Sequence, residues 1–207
     1  MFGMKPVIIG IAGGTGSGKT FLANKIKTIY PHKEIQTLKQ DAFYHDFSHM
    51  SFKEREKINF DHPSSIDCEL LLKKIKLISD KRKVLVPCYD YSKHLRKNNQ
   101  YAINPADIIV VEGIFVLYFK AIRPLLEVKI YLHTPTQLRF QRRLERDKLR
   151  RGRSLKSIEK QFREFVQPMH KKYIEPTKDY ADVILDGIDT MPNMLREIKL
   201  CVDPIIK

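Results

Sequence analysis

The sequence predicts an α/β protein built on a parallel sheet whose strands are joined by crossover helices. Short apolar runs alternate with segments of helical periodicity along the 207 residues, and this alternation is typical of βαβ units. A glycine-rich turn, residues 13–20, joins the first apolar run to the first helical segment. No internal repeat and no Gly- or Ser-rich linker divides the chain, so we expect one domain over residues 1–207.

The predicted elements follow one another in order. We predict strands at the apolar runs 7–12, 35–38, 84–86, 108–111, 128–132 and 183–185. We predict helices where apolar residues recur at helical spacing, in residues 20–29, 67–79, 135–150, 155–172 and 192–201. Asp67 is the expected N-cap of the second helix, because its carboxylate can accept hydrogen bonds from free N–H groups. The irregular stretch 41–66 is rich in aromatic and charged residues, and loops of that length are usually functional.

The glycine-rich turn has the spacing G-x-x-x-x-G-K-T. Its residues are Gly13, Gly14, Thr15, Gly16, Ser17, Gly18, Lys19 and Thr20. Glycines allow the backbone to wrap so that N–H groups face phosphate oxygens, and the following helix adds its positive N-terminal end. Lys19 can reach the terminal phosphates, and the hydroxyl of Thr20 can bind a magnesium ion. The pattern therefore predicts a site for a nucleoside triphosphate with Mg²⁺.

Two carboxylates that follow strands are candidates for the same site. Glu112 ends the run 108–111, where a carboxylate beside the first strand can hold the water shell of magnesium. Asp41 follows the run 35–38 at the edge where parallel sheets bind ligands, and it can take a proton from an attacking hydroxyl. Asp46 competes for that role, and Asp41 could instead cap the turn. Position alone leaves these interpretations of Asp41 open.

Basic residues crowd into residues 139–153. The cluster contains Arg139, Arg142, Arg143, Arg146, Lys148, Arg150, Arg151 and Arg153. One interpretation is a solvated or nucleic-acid-binding face. The other is a lid, over about 139–155, whose guanidinium groups close on a transferring phosphoryl group. Gly152 between two arginines indicates a hinge at a helix break, and together with the glycine-rich turn it favours the lid.

Two aromatic stretches indicate a small-molecule pocket. They are Phe60-Asp61-His62-Pro63 and Tyr89-Asp90-Tyr91-Ser92-Lys93-His94. Aromatic rings can stack on a base while the carboxylate and imidazole groups form hydrogen bonds to it. The same residues could equally be core aromatics whose polar ends are satisfied within the protein.

Charge, cysteine content and hydropathy indicate which partners and which cell compartment to expect. The net charge of +14 suits polyanionic partners, which include polyphosphates, acidic lipids and nucleic acids. Three cysteines lie far apart without a CxxC pair, so neither a zinc site nor a disulfide framework is indicated, and we expect a cytoplasmic protein. No apolar run reaches the length of a transmembrane helix. The sequence contains no N/T-K-x-D guanine motif, which argues against a GTPase switch.

Taken together, these motifs resemble those of the uridine kinase (uridine–cytidine kinase) family of P-loop kinases, from about residue 7 to residue 185. The matching motifs are residues 13–20, Gln40-Asp41-Ala42-Phe43-Tyr44, Phe60-Asp61-His62-Pro63, Tyr89-Asp90-Tyr91 with His94 and Arg96, Glu112-Gly113-Ile114, Arg142-Arg143 through Arg151-Gly152-Arg153, and Pro176-Thr177-Lys178 with Tyr180-Ala181-Asp182. The chain departs from the family at Ser64 and Ile66, where Asp and Phe are usual. Its tail from Asp186 also lacks the usual Gly-Gly-x-Asn pattern.

The resemblance implies transfer of the γ-phosphoryl group of ATP or GTP to the 5′-hydroxyl of uridine or cytidine in the cytoplasm. It implies a P-loop three-layer sandwich, in which a five-stranded parallel sheet lies between helices and a small β-hairpin covers the nucleoside. A tetramer is the implied assembly, with small molecules as partners and neither a specific nucleic acid nor a membrane. The alternative is a related kinase of another alcohol, similar to phosphoribulokinase or pantothenate kinase; a nucleic-acid-binding ATPase is less favoured.

The family's site residues fall on matching positions of this chain. The implied base is Asp41, which also neighbours the metal, and the implied magnesium ligands are Thr20 and Glu112. The residues implied to hold the ribose hydroxyls are Asp61, Arg143 and Gln161. The residues implied to read the pyrimidine are Tyr89 and His94, in a pocket also lined by Tyr44 and Tyr91. The residues implied to surround the phosphates are Lys19, Arg146, Arg151 and Arg153.

Overall fold

Two sheets organise the protein. The computed structural model describes residues 5–151 and 154–206, with only the backbone of residues 150 and 151. The strands are β1 (Val7–Ala12), β2 (Ile35–Lys39), β3 (Val84–Asp90), β4 (Leu95–Ile103), β5 (Ile108–Glu112), β6 (Val128–His133) and β7 (Val183–Asp186). A five-stranded parallel sheet has the order β2-β5-β1-β6-β7, and β3 pairs with β4 in a separate antiparallel hairpin.

The helices lie close to their predicted positions. They are α1 (Lys19–Ile26), α2 (Phe52–Arg55), α3 (Cys68–Ser79), α4 (Thr136–Arg151), α5 (Leu155–Gln161), α6 (Gln167–Met169) and α7 (Met191–Val202). The predicted helix 155–172 contains two π-helical segments, Phe162–Val166 and His170–Ile174, one on each side of α6. Asp67 is the N-cap of α3 as predicted, and its Oδ1 accepts the N–H of Leu70 at 3.0 Å. No helix in the described part of the chain is long and apolar enough to cross a membrane.

Alternate residues of the central strands supply two separate cores. Both β1 and β5 are buried along their whole lengths, as expected of parallel strands covered on both faces. Ile8 and Ile109 belong to a cluster that also contains residues of α3 and of the hairpin. Ile9 and Val110 belong to the opposite cluster, which contains residues of α1 and α7. The period-two alternation therefore places a layer on each face of the sheet, and the predicted three-layer α/β fold is confirmed.

The hairpin corrects one part of the strand prediction. The apolar run 84–86 is a strand, but it pairs antiparallel with β4 rather than joining the parallel sheet. Periodicity missed β4 because the strand lies at the surface, where Ile103 is its only fully buried residue. The pairing shifts register between Pro87 and Cys88, a bulge of the kind that redirects side chains near functional sites. The small hairpin that the family resemblance implied is thus present.

The long stretch 41–66 contains only short helical elements. These are a 3₁₀ turn at Gln40–Phe43, α2, and a second 3₁₀ turn at Pro63–Ser65. Tyr44 forms an isolated antiparallel bridge with Ile66, and Ile66 is buried in the core beside the hairpin. This residue, which differs from the family's usual Phe, therefore packs beneath the loop. The stretch joins the carboxyl end of β2 to α3 and so stays next to the glycine-rich turn.

Candidate active site

The glycine-rich turn connects β1 to α1 through backbone that a side chain would disrupt. Gly16 has a φ of +77°, and a Cβ atom there would lie 2.3 Å from the backbone oxygen of Arg139. Gly18 has a φ of +102° and is the N-cap of α1, where no side chain accepts a hydrogen bond from the first N–H groups. Those N–H groups are therefore available to an anion, and the helix dipole favours a phosphate at the same place.

Lys19 lies across the turn. Its Nζ donates a hydrogen bond to the backbone oxygen of Gly14 at 2.9 Å. Burial lowers the pKa of Lys19 to about 8, while the nearby carboxylates of Glu112 and Asp41 act in the opposite direction. A phosphate group beside Nζ would raise this pKa again, because an anion favours the charged ammonium form. Bound phosphate would therefore keep Lys19 charged to higher pH.

Thr20 and Glu112 meet at the mouth of the turn. The hydroxyl of Thr20 donates to Oε1 of Glu112 at 2.9 Å. Burial raises the pKa of Glu112, and the carboxylate of Asp41 raises it further. A cation would relieve both effects, so these groups fit a magnesium site. Among the described residues, no group of three or more His, Cys, Asp or Glu side chains is placed to hold a metal ion.

Asp41 faces two adjoining clefts. One, the phosphate cleft, is lined by Thr15, Gly16, Gly18, Lys19, Thr20, Phe21, Asp41, Glu112, Ile114, Arg142 and Arg146. The other, the aromatic pocket, is lined by Thr15, Asp41, Tyr44, Phe60, Asp61, Tyr89, Tyr91, His94, Ile114, Arg143, Arg146 and Gln161. The competing carboxylate, Asp46, accepts hydrogen bonds from the N–H and hydroxyl groups of Ser48 in a local turn. Geometry therefore favours Asp41 as the candidate base.

Gln40 fixes the position of Asp41, although the sequence analysis assigned it no role. It is completely buried, and its Oε1 accepts the N–H of Phe115 at 2.8 Å. A Cβ atom on Gly113 would lie 2.4 Å from Gln40, so Gly113 is needed for this close approach. The contact ties the end of β2 to the segment after β5, and it thereby holds Asp41 and Glu112 near each other.

The arginine cluster does not act as one face. Arg139 is almost fully buried and donates to the backbone oxygen of Thr134 at 3.1 Å and to Gln167 Oε1 at 3.2 Å. Its guanidinium lies against Gly14, where a Cβ atom would come within 2.6 Å of Nη1. Arg142 donates to the backbone oxygen of Ser17 at 3.1 Å. Both arginines support the glycine-rich turn, but Arg139 lines neither cleft, whereas Arg142 also lines the phosphate cleft.

Arg143 and Arg146 point into the clefts and share a buried carboxylate. Arg143 donates to Gln161 Oε1 at 2.8 Å and to Thr15 Oγ1 at 3.1 Å. Its Nη1 lies 3.8 Å from Oδ1 of Asp61. The completely buried Asp147 lies 3.4 Å from Nε of Arg143 and accepts a hydrogen bond from Nε of Arg146 at 2.9 Å.

Asp147 is a buried residue of the site that the motifs did not predict. Its spacing of four residues from Arg143 on one helix is the signal that was available. Gly152 and Arg153 lie outside the described residues, as does the side chain of Arg151. The predicted roles of the two arginines and the hinge at Gly152 therefore stay predictions.

The aromatic pocket brings together every residue that the resemblance assigned to the nucleoside. Those residues are Tyr44, Asp61, Tyr89, Tyr91, His94, Arg143 and Gln161. Phe60 and Ile114 also line the pocket, and both lie within the quoted motifs without an assigned role. Since these residues come from the loop, the hairpin, α4 and α5, their convergence is a property of the fold.

The rings of the pocket pack against one another. The imidazole of His94 stacks on Phe60 with centroids 4.7 Å apart and planes 12° apart. Tyr44 contacts Phe60 edge-on at 5.2 Å and Tyr89 at 5.1 Å. Burial raises the pKa of Tyr89, so the phenol stays protonated. Its buried hydroxyl has no hydrogen-bond partner within the described residues, and a ligand in the pocket can supply one.

A third cleft lies on the other side of the turn. It is predominantly apolar and is lined by Ser17, Gly18, Phe21, Leu22, Leu132, Arg142, Gly187, Asp189, Met191 and Met194. The tail that lacks the family's usual pattern thus still contributes residues to a cleft beside the phosphate turn. We refer to it as the apolar cleft.

This arrangement is that of the P-loop kinases. In these enzymes a backbone loop and a lysine bind the phosphates of the donor, and a second pocket for the acceptor lies next to a carboxylate. The chain matches the model of the Phosphoribulokinase / Uridine kinase family over residues 8–193, and it belongs to that family. It is therefore an ATP-dependent kinase, and the resemblance drawn from the motifs is confirmed.

Curated relatives and a solved structure agree with this assignment. The chain is 48% identical over 181 residues to a uridine kinase of Clostridium tetani, with 87% of each protein covered. It is 42% identical over 188 residues to a uridine kinase of Streptococcus pyogenes, with 90% of each covered. The phosphoribulokinase of Rhodobacter spheroides has a TM-score of 0.67 at 13% identity, covering 88% of this chain and 70% of that one. That likeness concerns the fold alone.

Proposed function

We propose that this kinase transfers the γ-phosphoryl group of ATP or GTP to the 5′-hydroxyl of uridine or cytidine, giving UMP or CMP. The observation that carries the proposal is the position of Asp41 between the phosphate cleft and the aromatic pocket. A hydroxyl bound in the pocket next to Asp41 would face a phosphate held by the glycine-rich turn. The identity of 42–48% to curated uridine kinases supports the choice of acceptor.

The donor triphosphate binds to the glycine-rich turn in this proposal. The N–H groups at the start of α1 and the ammonium of Lys19 hold its phosphates, and Arg146 approaches the transferring group from α4. Thr20, Glu112 and Asp41 hold Mg²⁺, which neutralises charge on the phosphates when it is bound. Arg151 and Arg153 remain candidates for further phosphate contacts. The apolar cleft receives the purine ring, since aromatic and aliphatic side chains there exclude water.

The acceptor nucleoside binds in the aromatic pocket. Asp61, Arg143 and Gln161 hold the ribose hydroxyls, which places the 5′-hydroxyl towards Asp41. Tyr89 and His94 read the base, with Tyr44 and Tyr91 beside them. The unpartnered hydroxyl of Tyr89 can donate to a carbonyl oxygen or accept from an amine, and it therefore suits both uracil and cytosine. Asp41 takes the proton of the 5′-hydroxyl as the phosphoryl group is transferred.

We further propose that the enzyme works in the cytoplasm as a homo-oligomer, with a tetramer as the expected state. Its partners are then a nucleoside and a nucleoside triphosphate rather than a specific nucleic acid or a membrane. Sedimentation at several concentrations measures the subunit count directly. In a filter-binding assay, we expect the protein to retain no nucleic acid at either low or high salt. Binding to the phosphate backbone would instead be strong at low salt and would be lost at high salt.

A coupled assay for ADP release tests the proposed reaction. The panel of acceptors is uridine, cytidine, a purine nucleoside, ribulose 5-phosphate and pantothenate, each with ATP and Mg²⁺. We expect turnover with the pyrimidine nucleosides only. Turnover with ribulose 5-phosphate or pantothenate alone would instead show that the aromatic pocket serves a different alcohol.

A further inference from the structure

His94 has an unusual backbone conformation at the tip of the β3–β4 hairpin. Its φ is +52°, a region that residues with a Cβ atom adopt infrequently. Such conformations persist only where the surrounding structure holds them, and they cluster at functional sites. Because the ring of His94 lines the aromatic pocket, whatever holds its backbone also decides where the imidazole lies.

Arg55 provides a direct hold on this backbone. It lies at the end of α2, and it is 9% exposed despite its charge. Its Nε donates to the backbone oxygen of Lys93 at 3.0 Å, and its Nη1 donates to the backbone oxygen of Met50. The oxygen of Lys93 and the nitrogen of His94 belong to one planar peptide unit. Holding that oxygen therefore fixes the plane from which the φ rotation of His94 begins.

The preceding peptide unit of the turn is held by Asp90. Oδ1 of Asp90 accepts the N–H of Ser92 at 2.9 Å and the N–H of Lys93 at 3.1 Å. Lys93 is thus fixed at its nitrogen by Asp90 and at its oxygen by Arg55. The Asp90 contacts are local to the hairpin, whereas Arg55 belongs to the stretch 41–66. Arg55 therefore ties the Lys93–His94 peptide unit to the stretch 41–66, as Arg96 ties the start of β4 to the same stretch by donating to the backbone oxygen of Tyr44 at 2.7 Å.

The helix that carries Arg55 also contacts the ring of His94. Phe52 lies three residues before Arg55, and its ring stacks on the imidazole with centroids 6.4 Å apart and planes 30° apart. Phe60 stacks on the same imidazole at 4.7 Å. Both the backbone and the ring of His94 are consequently held by residues of one stretch, while the histidine itself belongs to the hairpin.

We propose that Arg55 is a positioning residue for the acceptor site, which holds the Lys93–His94 peptide unit and so presents the His94 imidazole to the base. The inference rests on the proposed function, in which His94 reads the pyrimidine. It adds a residue from outside the family motifs that set the site predictions. Arg55 acts through His94 and does not itself line the aromatic pocket.

The test compares Arg55→Met and Arg55→Lys with the parent enzyme, alone and combined with His94→Ala. Arg55→Met keeps an unbranched apolar stem but removes both donated hydrogen bonds. We expect it to raise the KM for uridine about tenfold, the effect of losing charge-assisted hydrogen bonds, and to leave the KM for ATP unchanged. Arg55→Lys should raise the KM for uridine less than Arg55→Met does, because an ammonium can still reach one of the two carbonyl oxygens. In the His94→Ala background, Arg55→Met should change the KM for uridine less than twofold.

Three outcomes would overturn the proposal: an unchanged KM for uridine, equal increases in KM for uridine and ATP, or the full increase persisting in the His94→Ala background. Arg82→Lys, at an exposed arginine outside the site, is the matched control and should behave as the parent. If Arg55→Met fails to fold in thermal melts, Arg55→Lys in both backgrounds decides the question by the same criteria. The proposed function is tested separately, since its failure appears as absent pyrimidine turnover in the parent enzyme.

Discussion

The donor and acceptor sides of the cleft are built from different kinds of structure. The donor side is backbone: the glycine-rich turn leaves a completely buried strand, β1, and enters a helix whose first N–H groups are uncapped. The acceptor side is a set of side chains on a long loop, a hairpin, α4 and α5, and only one residue of β4 is fully buried. The triphosphate site is therefore fixed by the sheet, whereas the nucleoside pocket depends on contacts among side chains from separate segments of the chain.

This difference predicts where substitutions act. Changes in the donor turn disturb a rigid element that packs against α4, as the close approach of Gly16 to the backbone of Arg139 shows. Changes on the acceptor side act on individual side chains that come from several separate segments rather than on a backbone turn. We therefore expect donor variants to lose ATP affinity and stability together, and acceptor variants to lose nucleoside affinity alone. Asp41, which lies in both clefts, should affect neither affinity strongly and turnover most of all.

The largest effect is expected at this shared residue. Asp41→Asn removes the candidate base while keeping the shape of the side chain, and kcat should fall about 10²- to 10⁴-fold, as for loss of general base catalysis. The KM for uridine should change little. Steady-state kinetics with uridine as the varied substrate provides the measurement.

Asp46→Asn is the matched control, because this carboxylate bonds only to Ser48 among the contacts described for its side chain. It should leave kcat near that of the parent. Near-normal turnover of Asp41→Asn would remove Asp41 as the base, and a strong loss in Asp46→Asn would transfer the role.

The next effect separates the donor side from the acceptor side. Gly16→Ala places a Cβ atom against the backbone of α4 at a φ of +77°, at a cost of about 3 kcal/mol, or roughly 100-fold in ATP affinity. Equilibrium binding of ATP measures the loss, and thermal melts measure the accompanying destabilisation. Uridine binding should be close to that of the parent.

Gly18→Ala is the comparison variant, since its added Cβ atom would meet nothing closer than 3.6 Å. It carries the cost of the positive φ alone, so we expect a smaller loss of about tenfold. Equal losses in the two variants would mean that the clash with α4 is relieved by movement of the turn.

On the acceptor side, His94→Ala should raise the KM for uridine and cytidine about tenfold, the effect of one lost hydrogen bond to the base. The KM for ATP should not change, because His94 lies outside the phosphate cleft. His62→Ala is the control: this histidine bonds to Ser64 and Tyr173 instead of lining the pocket. Equal rises in KM for both substrates would point to a structural role for His94.

At neutral pH, the smallest effect concerns the protonation of Lys19, because its consequences develop only in alkaline solution. Its pKa in the unliganded protein is lowered to about 8, so the ammonium that attracts phosphate is lost as the pH rises through this value. We expect kcat/KM for ATP, which reports the free enzyme, to fall about tenfold per pH unit above that point. The kcat limb should lie at higher pH, since bound phosphate raises the lysine's pKa.

Lys19→Arg should abolish the fall in kcat/KM near pH 8, because a guanidinium stays charged throughout this range. The same lowered pKa affects folding stability in the opposite direction: as the pH rises, ATP binding weakens but the folded state becomes more stable. Below pH 8 burial of the charged lysine destabilises the folded state, and between pH 8 and the unfolded value of 10.5 this cost is relieved. A kcat/KM profile that stays flat to pH 10 in the parent enzyme would contradict the assignment.

Most of the fold and the donor site could be predicted from the sequence, because both depend on patterns within short stretches of the chain. Apolar runs fixed the parallel strands, and the glycine spacing fixed the turn within one stretch of chain. The acceptor residues were found through motif resemblance, and their roles remain predictions. Periodicity failed at β4, because an exposed strand carries no apolar alternation, and at residues 84–86, because a short apolar run does not reveal which strand it pairs with.

By itself, the sequence determined the class of fold and the position of the phosphate turn, and it left Asp41 and Asp46 both open as the candidate base. Only the tertiary structure revealed that Arg139 supports Gly14, that Gln40 ties β2 to the end of β5, and that Arg55 reaches the hairpin tip. The physical reason is range. A binding site made of backbone needs special dihedral angles, and glycines close together in the sequence indicate where these occur. A contact between side chains that are far apart in the sequence depends on how the whole chain folds.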